Sequence, residues 1–252
     1  MASFEVFAPD ERRKLAYHRT MAEGAGADKP GIVFLGGFRS DMGGTKAVAL
    51  EAWARARGRA FLRFDYTGHG DSSGAFENGT IGDWAQDARD VLGALTQGPQ
   101  ILVGSSMGGW IALLIAREMP EKVAGLVGIA AAPDFTEDSM WAGFDDRQRT
   151  ALMTTGRVEL PSEYDDGPYV ITRNLIENGR TRLVLRDPLP LPFPVRLLHG
   201  TADVDVAMSR PMAILEHAEC DDLRLTYVKG ADHRFSTPAC LRLIERTVEE
   251  IA

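Results

Sequence analysis

The stretch Gly104-Ser105-Ser106-Met107-Gly108 sets a hydroxyl between glycines two positions away on either side. The apolar run Ile101-Leu102-Val103 comes before it and Trp110-Ile-Ala-Leu-Leu-Ile-Ala116 after it, so the serine falls where a strand ends and a helix begins. A sharp turn at such a junction lifts a serine Oγ above the sheet in strained backbone geometry, while the glycines let neighbouring backbones come close. This is the setting of a nucleophile, and Ser106, not Ser105, has glycine at both required positions.

A serine hydroxyl attacks only when a neighbouring base takes its proton and a third group orients that base. The chain offers five histidines. His18 and His69 precede the serine, whereas proteins with this elbow run serine, acid, histidine along the chain. His199 closes a strand-like run, and His217 closes a helical one, where a cation suits the dipole. His233, in Gly230-Ala-Asp-His-Arg-Phe235, follows the strand-like Leu223–Lys229, and open α/β sheets collect their chemistry at the carboxyl ends of strands. It is the predicted base. Asp203, in His199-Gly-Thr-Ala-Asp-Val-Asp205, also stands just past a strand and is the predicted acid. Asp205 is the alternative, although an N-cap role for a helix starting at Val206 is expected of it.

The tetrahedral intermediate of acyl transfer needs two backbone donors for its oxyanion. Met107, the residue after the nucleophile, supplies one, and Phe38 in Gly36-Gly37-Phe38 the other. Rival chemistries fit less well. The segment Gly37–Lys46 lacks the G-K-[ST] of a phosphate loop. Asp203 and Asp205 lack a third clustered ligand for a metal, and Cys220 and Cys240 have neither CxxC nor Cys/His spacing. The two thiols are expected to be reduced bystanders. Neither a metal nor a cofactor is expected.

Elements able to position such groups alternate along the chain. Ser3–Ala8 and Lys14–Thr20 read as a hairpin turning at Pro9-Asp10-Glu11. Gly31–Phe38, Ala60–Tyr66, Gln100–Ser105, Val123–Ala131, Val195–His199 and Leu223–Lys229 read as further strands. Thr45–Arg57, Asp83–Thr96, Met107–Glu118, Val206–His217 and Pro238–Ile251 carry a helical period between them. The pattern predicts an α/β fold of about eight mostly parallel strands flanked by helices, one domain spanning 1–252. One stretch breaks the alternation, the long polar segment from Asp134 to Pro194, too long for a structureless loop in a compact domain. It is expected to be a small helical lid inserted after the sixth strand. Its apolar residues Met140, Trp141, Phe144, Leu152 and Met153 are candidates for an acyl pocket, and Arg39, beside the oxyanion loop, for an anionic group of the substrate. Trp110 is expected in the core.

The bulk properties narrow the partners. A net charge of −8 with no basic block excludes the footprint of a nucleic-acid binder. The longest strongly apolar stretch, Val123 to Pro133, is well short of the roughly 18 residues of a membrane span. The N-terminal MASFEVFAPDERRK has no signal or transit layout, so a cytoplasmic location is expected.

The chain resembles the α/β-hydrolase superfamily, in particular its branch containing a mitochondrial palmitoyl-protein thioesterase. The likeness runs from about Gly31 to the C-terminus and is carried by Phe38–Lys46, Gln100–Trp110, Arg196-Leu-Leu-His-Gly200 and Asp232-His-Arg234. It implies an α/β-hydrolase fold and a Ser106, Asp203, His233 triad, with Asp203 three residues after the glycine of Leu-His-Gly. The implied activity is hydrolysis of carboxylic esters or thioesters through an acyl-enzyme, on a small-molecule acyl substrate or an acylated protein. A non-catalytic binding protein on the same fold, and a carbon–carbon hydrolase or perhydrolase using the same triad, are the alternatives.

Overall fold

The computed structural model describes residues 4–160 and 169–252. Ser3, the expected start of the first strand, and residues 161–168 of the expected lid lie outside them. Eight strands form one sheet: β1 (Glu5–Phe7), β2 (Leu15–Thr20), β3 (Gly31–Leu35), β4 (Phe61–Phe64), β5 (Gln100–Ser105), β6 (Val123–Ile129), β10 (Val195–Gly200) and β12 (Leu223–Val228). Their order across it is β1-β2-β4-β3-β5-β6-β10-β12. The pairings β1/β2 and β2/β4 are antiparallel, and every later one is parallel.

Central strands of a parallel sheet are covered on both faces and therefore read as unbroken apolar runs. β3, β4 and β5 are buried along their whole length. On one face lie α2 (Ile81–Leu95) and α3 (Met107–Glu118), whose Trp84 and Trp110 are fully buried there. On the other lie α1 (Thr45–Arg55) and α7 (Pro238–Glu250), contributing Leu50, Trp53, Ile244 and Val248. α6 (Ser209–His217) packs Ile214 on the first side. α2 starts two residues before its predicted beginning because the Thr80 hydroxyl caps it, accepting the Asp83 amide at 3.2 Å. β12 is the outer edge of the sheet, paired to β10 alone, and its residues alternate between half-buried and exposed before ending half-buried.

Between β6 and β10 the chain leaves the sheet. This excursion holds a π-helical segment (Thr136–Trp141), α4 (Asp146–Thr155) and α5 (Arg173–Arg180). It also holds an antiparallel pair of strands, β7 (Arg157–Leu160) and β8 (Tyr169–Thr172), so it is not wholly helical as expected. Its return runs through β9 (Leu189–Pro190), paired with β11 (Ala218–Glu219). The two ends of the excursion are fastened together by Asp134, whose buried carboxylate accepts the Val184 and Leu185 amides at 2.9 and 3.0 Å.

Candidate active site

Ser106 follows β5 and precedes α3 with φ 53° and ψ −117°, left-handed for a residue with a Cβ and the strained turn expected of a nucleophile elbow. Backbone bonds hold it there. Its N–H donates to Ile129 O at 2.9 Å, and its carbonyl accepts Gly109 and Ala132 amides at 2.9 and 3.1 Å. The flanking glycines are a matter of space: a Cβ on Gly104 would lie 2.4 Å from Gly108 O, and one on Gly108 2.0 Å from Leu35 O. α3 can cross the ends of β3 and β5 so closely only because neither position has a side chain.

Two loops zipped side by side bring the partners of Ser106 together. Thr201 N–H donates to Val228 O at 3.0 Å and Ala202 N–H to Ala231 O at 2.9 Å, joining the loop after β10 to the loop after β12. The Lys46 ammonium, its pKa lowered by burial to about 8, donates to Arg234 O at 2.6 Å and pins the second loop. In this frame His233 Nε2 lies 3.1 Å from Ser106 Oγ, and His233 Nδ1 2.8 Å from Asp203 Oδ2. The other carboxylate oxygen, Oδ1, accepts the Asp205 and Val206 amides at 2.9 and 2.8 Å. Burial alone would push the Asp203 carboxyl up. The His233 hydrogen bond, followed by the Val206 amide and the others, overrides it and holds Asp203 below the usual carboxylate range.

Asp203, not Asp205, is thus the residue that meets the histidine. The capping role expected of Asp205 is not found either, because α6 begins at Ser209 and the turn 203–206 is organised around Asp203. The structure does supply a third group beside the two aspartates, namely His233. Both of its ring nitrogens are already engaged by Asp203 and Ser106, so the cluster forms a hydrogen-bonded relay. Behind it His199 is fully buried, with Nε2 facing Val206 O at 3.0 Å, and burial lowers its pKa below the ordinary histidine value.

Met107 is the first residue of α3, so its amide has no acceptor within the helix. Phe38 belongs to a turn closed by Ser40 N–H donating to Gly37 O at 3.1 Å. Both residues line a cavity of about 600 Å³ together with Ser106 and His233. That volume falls within the roughly 300–1,000 Å³ typical of small-molecule sites. The excursion contributes an apolar part of the lining, Phe135, Met140, Leu160, Tyr169 and Ile171, and the lining also carries the polar Ser40, Asp41, Lys46 and Arg210.

Of the four residues expected to bind substrate, Arg39 and Met140 line this cavity, whereas Trp141 and Phe144 do not. The π-helical segment widens the spacing of neighbours on one face to four and five residues, which turns Phe135, Ser139 and Met140 inward together. Trp141 instead lies under the guanidinium of Arg180 at 4.5 Å and that of Arg149 at 5.5 Å, and Phe144 is packed in the core. Leu152 is likewise buried, and Met153 is exposed. Arg39 extends over the rings of Phe76 and Tyr169, 5.3 and 5.1 Å from their centroids. Tyr169 and Ile171 were not anticipated. Their signal was the β-branched run Tyr169-Val-Ile-Thr172 inside an otherwise polar stretch. Trp110 is in the core, as expected, with Nε1 donating to Arg182 O at 3.1 Å. Cys220 and Cys240 are both free thiols.

His69, set aside in the sequence because it precedes the serine, is buried beside the turn of Phe38 and Arg39. Burial lowers its pKa to about 4. In the unfolded chain an ordinary histidine takes a proton below about pH 6.5, so this contribution to stability is complete above that pH and is lost as pH falls toward 4. The free energy of unfolding is expected to drop between pH 7 and 5 by about 2 kcal/mol more in the wild type than in His69→Gln, at about 1.4 kcal/mol per proton and pH unit. Urea unfolding at the two pH values measures the difference, and equal drops would disprove the account.

A mostly parallel sheet with the elbow after β5, an acid after β10 and a histidine after β12 defines a hydrolase scaffold. In agreement, residues 32–240 match the model of the alpha/beta hydrolase family, and the chain belongs to that family. Among individual proteins it is 37% identical over 242 residues to the rat protein named palmitoyl-protein thioesterase ABHD10, mitochondrial, covering 96% of this chain and 80% of the relative. The structure of the mouse alpha/beta hydrolase domain-containing protein 10 superimposes with a TM-score of 0.90 at 35% identity, over 99% of this chain and 98% of that one. A crystal structure from Agrobacterium vitis does so with a TM-score of 0.92 at 38% identity, over 99% and 97%. No helix among the described residues is long and apolar enough to cross a membrane.

Proposed function

We propose that the protein is a serine hydrolase of carboxylic esters and thioesters that works through an acyl-enzyme. The observation that carries this reading is the continuous relay from Ser106 Oγ through His233 to a buried, ionised Asp203. His233 Nε2 takes the serine proton as Oγ attacks the acyl carbon, and Asp203 keeps the other ring proton on Nδ1. The oxyanion is met by the Met107 and Phe38 amides. His233 returns its proton to the leaving oxygen or sulfur, then activates water to release the acid.

The apolar lining of Phe135, Met140, Leu160, Tyr169 and Ile171 suits an acyl chain, with the excursion acting as its lid. Long-chain thioesters are the favoured substrates on two grounds: this lining, and the similarity to proteins named palmitoyl-protein thioesterases. The test is a panel of p-nitrophenyl esters from acetyl to palmitoyl beside the matching acyl-CoA thioesters. Met140→Ala is expected to lower kcat/KM for long chains more than for acetyl, by up to about 0.8 kcal/mol for each substrate methylene that the shortened side chain no longer covers. Trp141→Ala, off the cavity, is expected to act alike on all lengths. A long-chain-selective loss in Trp141→Ala and none in Met140→Ala would place the acyl chain elsewhere.

A further inference from the structure

The oxyanion loop contains an unfavourable residue. Arg39 has φ 57°, a left-handed conformation disfavoured for any residue with a Cβ. Its amide is met by His69, Arg39 N–H donating to Nε2 at 3.3 Å. The other ring nitrogen, Nδ1, faces Thr67 O at 3.4 Å. One state of the ring serves both contacts: a neutral imidazole with its proton on Nδ1, directed at the carbonyl, and a lone pair on Nε2 that receives the amide.

The ring is fixed within the core. It is 3% exposed and boxed by Tyr66, Phe76 and Trp84, with centroids 5.6, 5.1 and 5.1 Å away. The Thr67 carbonyl also accepts Trp84 Nε1 at 3.0 Å, and Thr67 N–H donates to the buried Asp87 at 2.7 Å, itself held by Arg13 at 2.8 Å. On the opposite side the loop rests on the elbow, where a Cβ on Gly37 would sit 3.5 Å from both Ser105 O and Ser106 Cβ. Phe38 stands between these two anchors, and its ring packs edge-on against Phe76 and Trp84.

We propose that His69 is a positioning residue for the oxyanion hole: its Nε2 lone pair fixes the Arg39 amide and so sets the direction in which the Phe38 N–H points. The proposal rests on the serine-hydrolase reading, because only an oxyanion on the Ser106 adduct requires that aim.

The test compares His69→Gln, which keeps an acceptor oxygen close to the Nε2 position, with His69→Leu, which fills the box without one. For each variant kcat and KM on a p-nitrophenyl ester, the rate of Ser106 labelling by a fluorophosphonate, and Tm are measured. His69→Leu is expected to lower kcat and labelling rate about 10- to 100-fold, short of the roughly 10²- to 10³-fold cost of deleting an oxyanion donor, with KM nearly unchanged. His69→Gln is expected to recover most of the loss. Equal kcat and labelling rates in the two variants would overturn the proposal, whatever their Tm values. Failure of the wild type to label at Ser106 would remove the hydrolase reading itself, a different result from normal labelling in all three proteins. If His69→Leu does not fold, long-range 1H–15N NMR of the wild type decides: a proton on Nδ1 with a bare Nε2 supports the proposal, and a proton on Nε2 overturns it.

Discussion

Ser106→Ala is expected to lose on the order of a million-fold in kcat while the protein keeps its fold. The substitution removes only the attacking oxygen. The left-handed backbone of residue 106 is held by its own N–H and carbonyl, to Ile129, Gly109 and Ala132, and alanine keeps all three bonds. Tm is therefore expected to change little. Turnover of a p-nitrophenyl ester and intact mass after fluorophosphonate treatment make the measurement, the wild type gaining one adduct and the variant none. Retention of more than about one per cent of activity would be incompatible with the relay, since deleting the nucleophile of such a unit removes nearly all of its contribution. Ser105 is a poor understudy, being buried within β5.

Asp203→Asn is expected to cost about 10⁴-fold in kcat, the loss known for the equivalent change in a serine protease. Asparagine is chosen because its carbonyl oxygen can still accept the Asp205 and Val206 amides now bound to Oδ1, so the turn survives. What changes is the partner of His233. An amide NH₂ in place of Oδ2 presents a donor to Nδ1, driving the ring proton to Nε2, where it blocks transfer from Ser106 Oγ. Asp205→Asn is the control and is expected to stay near wild-type activity, because His233 Nδ1 contacts Asp203. The opposite ranking would make Asp205 the acid.

Some parts of this site were legible in the sequence and others were not, for physical reasons that differ. Ser106 is announced by local constraint, since a strand, two glycines and an apolar helix within a short span leave little alternative geometry. His233 could be chosen by chain order and by its place beyond a strand. The direction of a side chain within the excursion was not legible, because a π-helical segment follows neither the period of 3.6 nor that of 2. Met140 and Trp141 are adjacent and both apolar, yet one faces the cavity and the other lies under Arg180. Asp205 misled because aspartate before a helical period is a sound capping signal, whereas here the turn belongs to Asp203. His69 is set aside in the sequence by chain order, and its contacts, to Thr67 O and the Arg39 amide, are backbone contacts with no sequence signature.

The place of His233 beyond the outermost strand has a consequence for how the enzyme fails. Ser106 stands at the centre of the sheet, but the histidine follows β12, which is paired on one side only and has the least buried pattern of the parallel strands. Local openings of lowest free energy concentrate in such poorly covered units. Fraying of β12 would carry His233 away from an elbow that is still intact. Mild denaturant is therefore expected to silence hydrolysis while the central strands still protect their amides from hydrogen exchange, so that catalysis reports on the soundness of the C-terminal edge well before the core gives way.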